Sequence, residues 1–306
     1  MTERIDDETT EGGRGVTPRS LPAAAPGSHP PAPSTTAPAL TGEERILSVF
    51  QQAKDEGRAA LMPYMMGCFP DHDSSLAIAA AYADAGADLI ELGIPFSDPL
   101  ADGPTIHAAA TAALEGGANV ARALEVCENV SDRLPVVLMV YTNMVLAHGG
   151  AERFAAHAAE AGAAGAIVPD LPLGEAEDIR EAFSAAGLAL VPLVAPTTPA
   201  GRLGRICAVA RGFVYVVSTV GTTGERDELP EGLADLVAAT KAEAEVPVAV
   251  GFGIGTPQQA AAVGKIADGV IIGSRLVRAA EEAGSPEAAA EAVGAFLHET
   301  LVALGG

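Results

Sequence analysis

The sequence predicts a (β/α)8 barrel, the TIM-barrel class, preceded by a tail with no core of its own. Three observations carry this. Eight short apolar runs recur along the chain. Alanine-rich stretches of helical character separate them. The chain has 306 residues, 49% of them hydrophobic, which suits one barrel of about 250 residues plus an appendage. Near-continuous apolar runs belong to strands buried on both faces, as in a parallel sheet. Eight β–α pairs favour closure into a barrel over an open doubly wound sheet.

The elements follow in order. Met1–Gly15 is charged and polar, and Thr17–Leu40 is rich in Pro, Ala, Ser and Thr. Such composition cannot bury a core, so residues 1–40 are expected to be a disordered, dispensable extension. It has no apolar h-region and is not read as a signal peptide. Residues 41–306 form the catalytic barrel. Thr41 opens a helix through Gln52, with Glu44 completing a capping box. The strand runs are Leu61–Met66, Asp88–Leu92, Val136–Tyr141, Gly165–Pro169, Leu188–Val194, Gly212–Ser218, Val246–Val250 and Gly269–Ile272. Helices are expected over Ser75–Ala85, Ala151–Ala161, Glu175–Ala186, Gly232–Ala244 and Thr256–Val263. Gly86, Gly162 and Gly187 fall just past helix ends, where a left-handed residue is wanted.

Composition excludes several functions. A net charge of −22, from 40 acidic and 18 basic residues, disfavours binding to nucleic acid or anionic membrane. Aromatics are only 4% and tryptophan is absent, which leaves no platform for stacking bases. Cys68, Cys127 and Cys207 have no CxxC or zinc spacing and read as free thiols of a reducing cytoplasm. No apolar run approaches the ~20 residues of a membrane span. The three lysines, Lys54, Lys241 and Lys265, fall on helices or just before a strand. A Schiff-base or pyridoxal-phosphate lysine is therefore not expected. The six histidines are scattered, so no metal site is expected either. What remains is carboxylate acid–base chemistry without a cofactor.

In this fold the working groups lie at the C-terminal ends of strands and in the loops that follow. The segment Leu89–His107 is the richest. A strand delivers Glu91, and a loop punctuated by Pro and Gly carries Asp98 and Asp102. A carboxylate inside a buried strand is costly unless it has work or a partner. Glu91 is therefore either an acid/base or one half of a carboxylate–hydroxyl pair. Asp102 either works beside it or caps the helix that starts near Thr105. Asp98, before Pro99, reads as a turn residue. Tyr141 and Tyr215 are barrel fillers, or Tyr215 hydrogen-bonds Glu91. Asn143, Asp170, Ser218, Thr222 and Thr223 also fall at strand ends. Two glycine runs, Gly251-Phe252-Gly253-Ile254-Gly255 and Gly273-Ser274, follow the seventh and eighth strands. Loops at those places commonly hold phosphate through backbone N–H groups and a helix N-terminus. Arg275, the one cation beside them, is expected to point outward.

The segment Leu89–His107 resembles the signature of the tryptophan synthase alpha subunit family. Further matching segments follow in order: Pro63-Tyr64-Met65-Met66, Tyr141-Thr142-Asn143, Pro169-Asp170-Leu171-Pro172, Phe213–Ser218 with Gly221–Gly224, Gly251–Ile254, and Gly273-Ser274. The resemblance implies cleavage of indole-3-glycerol phosphate to indole and glyceraldehyde 3-phosphate in tryptophan biosynthesis. By it, Glu91 is the acid/base, Asp102 holds the indole N–H, and Tyr215 supports Glu91. Gly224, Gly253, Gly273 and Ser274 bind phosphate. Tyr64, Met139, Phe252 and Thr223 line the indole pocket. Asp98 and Asn143 face a beta subunit in an α2β2 complex, and pyridoxal phosphate belongs to that partner alone. Two other roles share the motif, a stand-alone lyase releasing free indole and a weakly active paralogue acting as an allosteric partner. The chain departs from the family at Thr222, where valine is usual, and at Cys68, where glycine is common.

Overall fold

The computed structural model describes residues 40–175, 177–217, 230–251 and 253–305. The expected N-terminal extension lies outside them, except for Leu40. Among the described residues, nine parallel strands form one sheet in the order β5-β4-β3-β2-β1-β9-β8-β7-β6. They are β1 (Ala60–Met66), β2 (Ile90–Gly93), β3 (Val136–Met139), β4 (Gly165–Ile167), β5 (Ala189–Val191), β6 (Leu193–Val194), β7 (Val214–Val217), β8 (Val248–Gly251) and β9 (Gly269–Ile272). The two ends of that order, β5 and β6, are one stretch of chain broken only at Pro192. Proline has no N–H to give to a ladder, so the single fifth strand expected at Leu188–Val194 divides in two. Its carbonyl still accepts from the Tyr215 amide at 3.0 Å. The sheet therefore closes as an eight-membered barrel.

The period of two along each strand sorts the side chains. Leu61, Met65, Ile90, Leu92, Val136, Leu138, Val248 and Val250 belong to the apolar layer between sheet and helices. Met62, Leu89, Val137, Tyr215, Ala249 and Ile271 fill the barrel interior. Helix α1 (Gly42–Asp55) closes the barrel at its N-terminal end, with Ile46, Phe50 and Ala53 joining that interior cluster. The expected capping box of Thr41 and Glu44 is present, and the helix runs three residues past the expected end. Gly86, Gly162 and Gly187 take φ of 85°, 77° and 75°, as their places after helices require.

Between strands lie α2 (His72–Asp84), α3 (Pro104–Glu115), α4 (Val120–Ser131), α5 (Thr142–Leu146), α6 (Gly150–Glu160), α7 (Glu177–Ala185), α8 (Ala200–Ala208), α9 (Leu233–Glu243) and α10 (Pro257–Gly264). After β9 come α11 (Ser274–Glu282) and α12 (Pro286–Gly305). The C-terminal helix α12 stands out for its apolar content. An 18-residue stretch of this 20-residue helix has a mean hydropathy of 1.2 and is long and apolar enough, by length and composition alone, to cross a membrane. Glu287, Glu291 and Glu299 interrupt the apolar residues, so no single run stands out in the sequence. Val293, Phe296, Leu297 and Leu304 are buried, and the helix packs on α2, α10 and α11.

Strand β2 also begins later than expected, because Asp88 serves the barrel floor instead. Its carboxylate takes both Arg58 Nη1 at 2.6 Å and Nη2 at 2.9 Å, and accepts the Leu61 amide at 2.7 Å. Without Asp88 the guanidinium keeps Glu56, 2.7 Å away, but the buried Leu61 amide loses its acceptor, at a cost of about 1–3 kcal/mol. Asp88→Ala is expected to lower stability in urea by about that amount. It should leave KM unchanged, since the pair lies at the end of the barrel opposite the strand C-termini. A change below about 1 kcal/mol would mean that the Leu61 amide finds another acceptor.

Candidate active site

Alternation along β2 turns Ile90 and Leu92 toward the helices and Glu91 into the barrel. Glu91 is 3% exposed. Its Oε2 is buried with no hydrogen-bond partner among the described residues. Burial, and after it the charge of Asp102, pushes the Glu91 carboxyl up to about 8. At neutral pH the group carries its proton.

Two phenols share this layer. Tyr64 on β1 stands opposite Glu91 in the ladder, and Tyr215 comes from β7. Burial first, then the charges of Glu91 and Asp102, holds both phenols well above their ordinary range. Both remain proton donors. A Cβ at Gly93 would overlap the Tyr64 hydroxyl, and one at Gly251 would overlap that of Tyr215. Glycine at these two strand ends is what lets the rings lie across the barrel mouth.

Asp102 is not the cap of α3. That helix starts from Gly103 at N-cap with Pro104 in its first turn. The Asp102 side chain turns instead to Tyr141, whose hydroxyl donates to Oδ1 at 3.0 Å. The same hydroxyl accepts the Ala101 amide at 3.1 Å, and the ring stacks on Phe96 at 5.1 Å between centroids. Burial raises the Asp102 carboxyl above its usual value, while the Tyr141 bond and His107 pull against that shift. Asp102 in turn contributes to raising Glu91, so the two carboxyls share one field. Tyr141 is thus more than a filler. Its sequence signals were its place at the end of the third run and in the matching segment Tyr141-Thr142-Asn143.

The rim beside Asp102 carries Asp98 and Asn143, both exposed. Asp98 receives the Ser97 hydroxyl. Asp170 has a structural role: its Oδ1 accepts the Thr142 amide at 2.8 Å and the Thr142 hydroxyl at 2.9 Å, holding the start of α5. Leu100, on the loop after β2, is 83% exposed, and Leu146, at the end of α5, is 54% exposed, two apolar residues that sequence reading passed over.

Across the mouth, α11 starts where β9 ends, with Gly273 as its N-cap and Ser274 as its first residue. Gly253 takes φ of 81° in the loop after β8. A Cβ built on Gly273 would lie 3.6 Å from that of Tyr64, so the glycine rim adjoins the aromatic wall. Met139, in register with Gly93, shares an apolar cluster with Tyr64 and Cys68. Arg275 turns away, its guanidinium 5.2 Å from the centre of the Phe296 ring on α12. Cys68 adopts φ of 62°, a conformation that glycine takes freely and cysteine does not. Ser218, Thr222, Thr223, Gly224 and Phe252 lie outside the described residues. Among the described residues, no three His, Cys, Asp or Glu side chains are grouped to hold a metal ion.

Residues 50–302 match the family described as tryptophan synthase alpha chain. The chain belongs to this family. A tryptophan synthase alpha chain of Prochlorococcus marinus (strain MIT 9313) is 48% identical over 272 residues, covering 88% of this chain and 98% of that protein. One from Chloroflexus aurantiacus is 44% identical, covering 85% of this chain and 98% of the relative. In a solved structure of Mycobacterium tuberculosis tryptophan synthase, one chain superposes with a TM-score of 0.79 at 38% identity, covering 85% of this chain and 98% of that one. A chain of the Pyrococcus furiosus tryptophan synthase α2β2 complex gives a TM-score of 0.75 at 38% identity, covering 80% and 98%. Family membership agrees with the barrel and with the order of the matching segments along it.

Proposed function

We propose that this chain cleaves indole-3-glycerol phosphate to indole and glyceraldehyde 3-phosphate with Glu91 and Asp102 as its working carboxyls. The carrying observation is the buried Glu91 in the barrel mouth, protonated at neutral pH, with Oε2 unpartnered among the described residues. Breaking the bond between indole C3 and the side chain needs a proton delivered to C3 and one removed from the C3′ hydroxyl. A carboxyl held near 8 can do both at neutral pH, since it gives its proton readily and takes one back. Asp102 accepts the indole N–H and stabilises the positive charge that grows on the ring as C3 is protonated. Tyr215, in the same charged field, supports Glu91. Tyr64 and Met139, with Phe252 and Thr223, enclose the indole. The bond breaks without a lysine or a metal as electron sink.

The phosphate is held by backbone N–H groups of the two glycine loops and the N-terminus of α11, through Gly253, Gly273, Ser274 and Gly224. Helix N-termini favour anions, and Arg275, next to Ser274 in sequence, is engaged with Phe296. Arg275→Ala is expected to leave KM within about twofold. Gly273→Asp places a carboxylate against the anion and is expected to raise KM at least tenfold, about 1.4 kcal/mol. Equal sensitivity of both positions would overturn the backbone cradle.

Asp98, Asn143, Leu100 and Leu146 form the rim that meets a beta subunit in an α2β2 assembly. Pyridoxal phosphate stays with that subunit. The same reading puts the chain in the cytoplasm, where Cys68, Cys127 and Cys207 remain free thiols. The deciding experiment is release of indole from indole-3-glycerol phosphate, measured with and without a beta subunit. Slow cleavage that the partner accelerates supports the proposal. Full speed alone makes it a stand-alone lyase, and no cleavage under either condition makes it a binding paralogue.

A further inference from the structure

We propose that Tyr141 is the positioning residue of Asp102, fixing that carboxylate and the loop that carries it. This rests on Asp102 being a working carboxyl. The chain between β2 and α3 has no regular structure, and Asp102 sits at its far end. One side chain grips this loop at three points. The Tyr141 hydroxyl gives its proton to Asp102 Oδ1 and receives the Ala101 N–H, while its ring stacks on Phe96. A hydroxyl satisfied in both directions has a fixed rotor, so the carboxylate is held along one line. Tyr141 is itself firmly placed. It is 3% exposed, follows β3, and is the N-cap of α5, whose next residue is held by Asp170. An aspartate that must meet an indole N–H needs such a fixed direction, because misplacement by about 1 Å is enough to lose much of the rate.

The bond also tunes the carboxyl. The groups sharing the field of Asp102 are Glu91 from β2, Tyr64 from β1, Tyr215 from β7 and His107 from α3. Burial pushes Asp102 toward its neutral form, and the phenol bond is the largest effect opposing that. Without it, Asp102 would accept a proton at higher pH and lose its charge sooner on acidification.

The test is Tyr141→Phe, which keeps the ring and its stack. With 13C-labelled aspartate, the Asp102 carboxyl should titrate about 1 pH unit higher than in the wild type, as a hydrogen bond to a charged group implies. The kcat for indole formation should fall by about 10-fold or more with KM little changed, and the acid limb of the pH profile should move up with the carboxyl. Incorporating 3-fluorotyrosine at 141, a stronger donor of the same shape, should move the titration down. That replacement carries the test if the phenylalanine variant folds poorly. A carboxyl that titrates unchanged in both proteins overturns the proposal. If the wild type does not cleave indole-3-glycerol phosphate, the lyase reading fails, and the titration still decides the Tyr141 bond.

Discussion

Glu91→Gln is expected to lower indole formation by about 10²–10⁴-fold, the range for loss of a general acid–base group, while making the barrel more stable at neutral pH. Both effects come from one cause. The carboxyl is buried, Oε2 has no partner among the described residues, and its folded value of about 8 lies above the ordinary 4.5. Below pH ~4.5 folded and unfolded chains both carry the proton, and Glu91 does not tilt the balance. As pH rises from there, the unfolded chain releases a proton that the folded chain keeps. Stability of the wild type therefore declines with pH until the folded carboxyl also ionises. The accumulated difference is up to about 5 kcal/mol. Glutamine resembles the protonated acid in shape and does not titrate. Urea unfolding at pH 4 and pH 8 should show similar stabilities for the two proteins at pH 4 and a clear advantage for the variant at pH 8. A variant retaining more than about a tenth of wild-type kcat falls well short of that loss and would remove Glu91 from the mechanism. A variant destabilised at pH 8 would mean that the carboxylate has a partner when charged.

Much of this arrangement was legible because it depends on neighbours in sequence. The apolar runs locate the strands, since a strand buried on both faces leaves no room for polar residues. The cap at Thr41 is satisfied by Glu44, three residues on. Glu91 stood out because a carboxylate on a buried strand requires a reason. What was not legible depends on closure of the barrel. The Tyr141–Asp102 bond joins residues 39 apart, and only the meeting of β3 with the loop after β2 brings them together. Asp102 in a turn rich in Gly and Pro looked equally like a helix cap, because cap and anchor use the same short side chain. Asp88 read as the first residue of a strand, and its role became visible only with Arg58 across the floor of the barrel. Pro192 broke a strand that its apolar neighbours had made look continuous.

Asp102→Asn is expected to lower kcat by about 10²–10³-fold with KM changed little, the loss seen when a group aimed at transition-state charge is removed. The amide can still accept a hydrogen bond from the indole N–H and from the Tyr141 hydroxyl, so ground-state binding survives. It cannot balance the positive charge that spreads over the ring when C3 takes its proton. The substitution also reaches Glu91 through the field they share. The charge of Asp102 raises Glu91, so its removal brings the Glu91 carboxyl down from about 8. In the wild type, kcat/KM should fall on the alkaline side as Glu91 loses its proton. It should fall on the acid side as Asp102 gains one, at a pH above the ordinary 3.8 because burial raises that carboxyl. In the variant the acid limb should disappear and the alkaline limb should move to lower pH. A variant in which only KM rises would make Asp102 a holder of substrate rather than a stabiliser of the transition state. An alkaline limb that stays in place would mean that the two carboxyls do not share a field, and that burial alone sets the proton on Glu91.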